Sequence, residues 1–502
     1  MRAARVRHDG VRMGPLDKFH DECGVFGIYG HDSASAHAAL GLHALQHRGQ
    51  EGAGIVSYDG KQFYNERSLG LVGDHFNDEK IIAQLKGRSA IGHVRYATTG
   101  GTTLRNVQPL FAEFDFGGLA IAHNGNLTNA GVLKRELVSK GCIFQSTTDT
   151  EAVIHLIATA REPRAMVPPA TASPGVVLRI IEALKQLVGT YSFVMLTQDF
   201  MLGARDPYGV RPLVLGQLDG ATILASETCA LDILGATFVR DVEPGEIVII
   251  DQNGLKSLKP FLPVNSKFCV FEYVYFARPD SLVEGTNVYH ARQRIGAELA
   301  REQPAPADIV VPVPDSGVPA AIGYAQQAGL PFELGIIRNH YVGRTFIEPA
   351  AQIRHLGVKL KHNANRATLA GKRVVLVDDS IVRGTTSIKI VDMVRNAGAK
   401  EVHMRIASPP TTNSCFYGVD TPKRDDLLAS TRSIEQMRQH IGVDSLGFIS
   451  LDGLYRATGQ PGRDAKQPQF CDACFSGEYP IQLTDFQSGH EPSQLSLLAE
   501  RG

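Results

Sequence analysis

The sequence predicts two domains of different fold class. An amino-terminal α+β layer structure with antiparallel strands is followed by a carboxyl-terminal α/β domain with a parallel sheet. Three observations predict this. The chain has 502 residues, whereas a single hydrophobic core stops growing near ~250–300 residues. Residues 23–263 hold many short apolar runs broken by Gly, Asn and Asp turns, with few helical periods. Residues 264–475 alternate strand-like runs with helices, the pattern of βαβ units.

In the first half, CGVFGIYG reads as a strand whose glycines permit close backbone approach. The stretch SASAHAALGLHA suits a helix with Ala36, Ala39, Leu40, His43 and Ala44 on one face. HRGQEGAG, residues 47–54, is a glycine-rich turn into a strand over 55–58. IGHVRYATTGG (91–101) is a strand entering a hydroxyl- and glycine-rich loop, and LAIAHNGNLTN (119–129) is a strand ending in a polar turn. QSTTDTEAVIHLIATA (145–160) is a helix, with Thr148 or Asp149 to cap it and Glu151 in its first turn. SFVMLT, RPLVLGQ, TILASE and GEIVIID complete the series of strands.

In the second half, the Pro-containing link KPFLPVNS leads to FCVFEYVYFARPDSLVEG (268–285). Residues 289–302 are helical, with Ile295 and Leu299 on one side. Residues 308–330 give a strand, a loop and a helix ended by Gly329. ELGIIRNHYVGRTF repeats the strand and enters a loop. RVVLVDDSIVRGTTS (373–387) is a buried strand with Asp378 and Asp379 at its carboxyl end, where open α/β sheets bind ligands. Arg383, Gly384, Thr385, Thr386 and Ser387 then bring a permissive glycine, hydroxyls and free backbone N–H groups to a helix start, a cradle for a phosphate. Two carboxylates suit sugar hydroxyls or Mg²⁺, so a phosphorylated ribose fits both halves of the segment. Ile390, Met393, Val394 and Ala397 follow at helical spacing up to Gly398, and EVHMRIAS is a further strand.

The chain has a net charge of −1, which gives no electrostatic basis for binding nucleic acid or an anionic membrane. No apolar run reaches the ~18 residues that span a bilayer. Residues 1–22 are basic at first but lack an apolar core, unlike a secretory signal. Seven cysteines are too few for a disulfide scaffold, which points to a reducing, cytoplasmic compartment and to catalytic or metal-binding thiols. Cys471 and Cys474 form a CxxC pair, with Cys269 and Cys415 upstream. Such a set holds either Zn²⁺ or a [4Fe–4S] cluster, and spacing does not separate them. Cys142 and Cys229 read as packing residues. The polar tail from about residue 484 is expected to be weakly ordered.

The 373–387 segment resembles the phosphoribosylpyrophosphate (PRPP) motif of type I phosphoribosyltransferases. The series Cys-Gly at a strand start, HRGQEG, GHVRYATTG, HNGNLTN and STTDTE resembles the class II glutamine amidotransferases. That resemblance implies a four-layer N-terminal-nucleophile fold for residues 23–263, with Cys23 as nucleophile. A thiol titrates near ~8.5 and an α-amine near ~7.7–8.0, so the amine of Cys23 itself serves as base near neutral pH. Residues 1–22 must then be a propeptide, cleaved between Glu22 and Cys23. The resemblance further implies Asn124 and Gly125 as oxyanion donors, Arg95 on the glutamine α-carboxylate and Asp149 on its α-ammonium. Arg48 lies in the turn beside the nucleophile, and the loop 95–101 closes as a lid. In the second domain, Ser316, Asp378 and Asp379 are implied at one Mg²⁺ per subunit. A mobile loop over 341–354 brings Arg344, with Lys359 and Lys361, to the pyrophosphate.

Joined, residues 23 to about 475 resemble the glutamine PRPP amidotransferase family, in its propeptide-bearing iron–sulfur branch. The resemblance implies that glutamine, PRPP and water give 5-phosphoribosylamine, glutamate and pyrophosphate, opening de novo purine synthesis. It also implies one [4Fe–4S] cluster per subunit on Cys269, Cys415, Cys471 and Cys474, a homotetramer, and purine nucleotides as feedback inhibitors. The expected divisions are a propeptide (1–22), a glutaminase domain (23–263), a phosphoribosyltransferase domain (264–475) and a tail (476–502). Two rivals make different demands. Other class II amidotransferases lack the Asp378–Asp379 loop. A non-catalytic PRPP-sensing regulator has no need of Cys23, Arg95, Asn124 and Asp149, and usually brings a basic DNA-binding module.

Overall fold

The computed structural model describes residues 23–96, 103–160, 171–339 and 362–487. Thirteen strands build the first domain: β1 (Gly24–Tyr29), β2 (Gly52–Tyr58), β3 (Phe63–Leu69), β4 (Ser89–Arg95), β5 (Leu110–Phe114), β6 (Gly117–Leu127), β7 (Gly189–Thr197), β8 (Phe200–Arg205), β9 (Val214–Leu218), β10 (Ala221–Ala225), β11 (Thr237–Asp241), β12 (Ile247–Asp251) and β13 (Gly254–Leu258). They form a seven-stranded sheet, in the order β11-β9-β10-β1-β4-β2-β3, and a six-stranded sheet, in the order β13-β12-β8-β7-β6-β5. Every pairing in both sheets is antiparallel.

Three apolar cores stack these sheets into four layers. Val25, Val56 and Ile91 of one sheet meet Ala122, Val194 and Val248 of the other. The helix Ala34–Ala44 covers the outer face of the first sheet. The helices Ala130–Ser139, Thr150–Thr159 and Pro174–Leu184 cover the second. The sheets press so closely that a Cβ on Gly27 would lie 2.7 Å from Met201 Sδ and from Val194 Cγ1.

Two sequence expectations shift here. The helix Ala34–Ala44 buries Ala34, Ala38, Gly41 and Leu42, while Leu40 is 48% exposed. The phase is set by Gly41, where an added Cβ would lie 2.4 Å from the Phe26 ring, so the helix turns its glycine edge to the sheet. The helix Thr150–Thr159 begins with Asp149 in the N-cap position and Glu151 in its first turn, as expected, but the Asp149 side chain makes no capping hydrogen bond. Glu151 instead folds back to accept from the N–H groups of Gln145 (2.7 Å) and Ser146 (2.6 Å).

The second domain holds a four-stranded sheet in the order Ile309–Pro312, Arg373–Asp378, Glu401–Ile406, Ser445–Phe448, parallel throughout. The helix Val318–Ala328 ends at Gly329, and the helix Thr385–Asn396 is followed by Gly398; both glycines have positive φ. Among the described residues, the segment read as a repeat of the strand unit meets this sheet only at its start, through an isolated parallel bridge between Phe332 and Val310. Ile336–Arg338 pairs antiparallel with His362–Ala364 instead. Of the tail, residues 484–487 are described. Thr484–Gln487 is helical, and the Asp485 carboxylate accepts from Gly131 N (2.7 Å) and Val132 N (2.9 Å) at the start of the helix Ala130–Ser139. Among the described residues no helix is long and apolar enough to cross a membrane.

Candidate active site

The first group of side chains lies where the ends of β1, β4 and β6 converge. Gly24 pairs with Val94, which sets Cys23 level with Arg95. The Cys23 thiol is directed at the Tyr96 carbonyl, 3.4 Å away. His93 reaches across to the His123 carbonyl at 3.0 Å, tying β4 to β6 one residue before Asn124. Burial drives the His93 imidazole down to about 3, so it stays neutral. Asn124 is fully buried, and neither its Oδ1 nor its Nδ2 has a hydrogen-bond partner among the described residues. A buried amide left so is costly unless a ligand completes it. Gly125 has φ +144° and sits where an added Cβ would lie 2.1 Å from the Thr190 carbonyl oxygen, so no side chain fits there.

Arg95 and Asp149 flank this point. Burial pulls the Arg95 guanidinium below its ordinary value, while the neighbouring Cys23, Glu51 and Asp149 act in the opposite sense. Arg95 donates to the Asn106 carbonyl, and the Asn106 amide donates to Thr147 Oγ1 at 2.9 Å. Asp149 accepts from Leu127 N at 2.9 Å. Burial opposes its ionisation, but His123 at 3.6 Å and the hydrogen bonds keep its carboxyl below the usual aspartate range. Sequence reasoning missed Asn106 and Gln108. Gln108 accepts from His123 N at 2.8 Å and donates to Thr150 Oγ1 at 3.1 Å. Both are isolated polar residues outside any periodic element, so no spacing marks them.

Arg48 belongs to a different setting. Its position beside β1 is as expected, but its guanidinium is held by Glu227 and by Glu272, the latter at 2.6 Å from Nη2. Glu227 also accepts from Arg278 N (2.8 Å) and Ser281 Oγ (2.6 Å). Glu272 and Arg278 belong to the second domain, so the turn after the first helix is pinned across the domain junction. Arg48 thus stands beside the strand that carries Cys23 while two buried carboxylates hold its guanidinium.

The second group lies at the carboxyl end of the strand Arg373–Asp378. Asp378 and Asp379 are both 2% exposed. Ser316 Oγ donates to Asp379 Oδ2, and Ser380 Oγ donates to Asp379 Oδ1 at 2.5 Å. Gly384 takes φ +83° and opens the helix Thr385–Asn396, with Thr385 exposed and Arg383 and Thr386 partly exposed beside it. Ser387 is buried. A positive charge missed from sequence acts electrostatically on these acids. Burial pulls Arg292 down to about 10, and Asp379 is the foremost charge opposing that fall. Arg292 is fixed by the carbonyls of Tyr273 (2.9 Å) and Ala277 (2.8 Å).

The third group is the cysteines. Phe268–Cys269 pairs in parallel with Phe470–Cys471, which sets Cys269 opposite Cys471. Cys269, Cys415, Cys471 and Cys474 line one apolar cavity with Tyr417 and Tyr479. Burial, together with the neighbouring thiols, pushes Cys471 up to about 12 and Cys474 well above its usual value. Cys229 is buried near the Ala44 carbonyl, and Cys142 packs against the helix-covered core, as packing residues do. Among the described residues no group of three or more His, Cys, Asp or Glu is arranged to hold a metal ion as it stands. Residues 1–22, most of the loop 95–101, the loop 341–354 with Arg344, and Lys359 and Lys361 lie outside the described residues.

Comparison with known proteins places both halves. A family model described as a glutamine amidotransferase domain matches residues 93–232, and one described as a phosphoribosyl transferase domain matches residues 280–408. An amidophosphoribosyltransferase of Rhizobium etli is 58% identical over 492 residues, covering 97% of each chain. The Bacillus subtilis amidophosphoribosyltransferase is 49% identical over 94% of this chain and 96% of its own length. Among solved structures, glutamine PRPP amidotransferase from B. subtilis complexed with ADP and GMP superposes with a TM-score of 0.84 at 47% identity, covering 92% of this chain and 98% of that one.

Proposed function

The chain belongs to the amidophosphoribosyltransferase family, and we propose how its own residues divide the work. The enzyme converts glutamine, PRPP and water to 5-phosphoribosylamine, glutamate and pyrophosphate, the first step of de novo purine synthesis. Cys23 Sγ attacks the carboxamide carbon of glutamine. The Cys23 α-amine, freed by removal of residues 1–22, takes the thiol proton and passes it to the departing ammonia. The Asn124 amide and the Gly125 N–H hold the oxyanion. Arg95 grips the α-carboxylate and Asp149 the α-ammonium. Water then releases glutamate from the thioester. The fully buried Asn124 amide, with neither polar atom partnered among the described residues, is the observation that carries this reading.

At the other site, the cradle from Arg383 to Ser387 takes the 5-phosphate, while Asp378 and Asp379 face the ribose hydroxyls. Ammonia attacks the anomeric carbon as its bond to pyrophosphate breaks. Ser316, Asp378 and Asp379 would hold one Mg²⁺ per subunit. Mg²⁺ keeps few protein carboxylates and takes substrate oxygens, so a pair of adjacent buried acids suits it. When bound, it neutralises charge on the leaving pyrophosphate. Arg344 and Lys361 supply further positive charge there. Ammonia in water becomes ammonium and loses its lone pair, so a dry passage must join the sites, with the loop 341–354 closing it.

Four cysteines from three segments around one apolar cavity fit a [4Fe–4S] cluster, one per subunit, in a structural or oxygen-sensing role. The reaction needs no electron transfer. Purine nucleotides are the expected feedback ligands, given that the B. subtilis relative was solved with ADP and GMP. The working state is a cytoplasmic homotetramer. One preparation tests the amino-terminal and cluster assignments. Anaerobically purified, active protein should begin at Cys23 by mass spectrometry and carry iron that Cys471→Ser removes. Full glutamine-dependent activity with residues 1–22 attached, or in colourless iron-free protein, contradicts them.

A further inference from the structure

We propose that the segment 415–418 of the second domain is a positioning element for the oxyanion strand of the first. The inference rests on the reading of Asn124 and Gly125 as oxyanion donors. Three donors from the glutaminase domain converge on one carbonyl of this segment. Thr190 Oγ1 lies 2.9 Å from the Tyr417 carbonyl, and Arg211 donates to the same oxygen from Nε (2.9 Å) and Nη2 (2.7 Å). Asn126 Nδ2 donates to the Phe416 carbonyl at 2.9 Å, and Asn126 N donates to Thr190 Oγ1 at 3.2 Å. Thr190 thus joins the strand β6 to the segment through a single hydroxyl.

Gly418 completes the contact. Its φ is +108°, and a Cβ built on it would lie 3.1 Å from both Cα and C of Gly125. The two backbones therefore touch directly, and Gly125 is held between Gly418 on one side and the Thr190 carbonyl on the other. The far end of the segment is anchored as well. Tyr417 N donates to Cys415 Sγ at 3.3 Å, and the Tyr417 hydroxyl donates to the Ile481 carbonyl at 2.6 Å. Three residues of chain therefore connect the cysteine-lined cavity to the backbone that holds the oxyanion. An oxyanion donor works only when its N–H is aimed before the charge develops, so a brace on Gly125 acts on turnover rather than on binding of glutamine.

The test compares Thr190→Val, Thr190→Ser and Gly418→Ala with Asn124→Ala as reference, all in the full-length enzyme. Glutamine hydrolysis, ammonia-dependent synthesis and alkylation of Cys23 by iodoacetamide are measured on each. Thr190→Val and Gly418→Ala should lower kcat for glutamine about tenfold, a part of the ~10²–10³ that loss of a whole oxyanion donor costs. KM for glutamine, ammonia-dependent synthesis and the alkylation rate should stay within about twofold, and Thr190→Ser should restore kcat. Unchanged kcat in Thr190→Val beside an impaired Asn124→Ala overturns this proposal alone. Unchanged kcat in Asn124→Ala overturns the oxyanion assignment beneath it. An equal fall in ammonia-dependent synthesis overturns the positioning role, since general damage explains it.

Discussion

Arg95 is set by its neighbours before any substrate arrives. Its guanidinium is buried and bonded to the Asn106 carbonyl, and Asn106 is itself tied to Thr147, two residues before Asp149. Arg95 and Asp149, proposed to hold the α-carboxylate and the α-ammonium of glutamine, are thus linked through neighbouring residues. Lys keeps the charge of Arg95 but loses the planar fork that matches a carboxylate. Arg95→Lys should raise KM for glutamine by about 10–100-fold, the equivalent of one charged hydrogen bond worth ~1.5–3 kcal/mol, and leave ammonia-dependent synthesis intact. Steady-state kinetics with both nitrogen donors checks this. Equal KM values for the variant and the parent would remove Arg95 from the glutamine site.

The glutaminase sheets act as a rigid frame because their contact faces are smooth. Gly27 and Gly203 leave room for Met201 and Leu224, with added Cβ atoms meeting Met201 Sδ at 2.7 Å and Leu224 Cδ1 at 2.8 Å respectively. Gly27→Val forces methyl groups between the layers and should cost about 1–3 kcal/mol. The expected result is an earlier urea transition of the glutaminase domain, with PRPP-site function retained below that transition. The same close packing explains the misphased first helix. A periodic reading gives Leu40 to the core, but a glycine facing a phenylalanine ring allows the nearer approach, and packing outweighs the weak hydrophobic contrast of an alanine-rich helix.

At the scale of the whole molecule, buried charges join the domains. Arg48, Arg211, Glu227 and Glu272 are each at most 1% exposed. Burial opposes ionisation of Glu227, but Arg48 and His47 hold its carboxyl well below the usual glutamate range. A carboxyl depressed in the folded state adds stability that is complete above its ordinary value of 4.5 and is lost as pH falls through the folded value. Glu227→Gln should therefore be less stable than the parent by a margin constant above about pH 5 and shrinking below about 4.5. Removing one member of a buried pair costs about 3–5 kcal/mol, so Arg48→Met should loosen the junction strongly. Thermal unfolding followed across pH measures both. A margin that grows on acidification would contradict the ion-pair account.

Both fold classes, and the acids with the candidate phosphate cradle of residues 378–387, were legible in the residues themselves, because a strand followed by two acids and a glycine turn is read within fifteen residues. Cys23, Arg95, Asn124 and Asp149 became candidates only through the ordered series of motifs that resembles the class II glutamine amidotransferases. Tertiary structure decided what depends on distant chain segments. It bound Arg48 to Glu227 and Glu272, set Arg292 under the influence of Asp379, linked Arg95 to Asn106, and gathered Cys269, Cys415 and the CxxC pair about one cavity. It also laid Gly418 against Gly125, 293 residues apart in sequence. The physical reason is that burial makes a charge or polar group seek whichever partner the fold brings within reach, and sequence spacing carries no record of that partner.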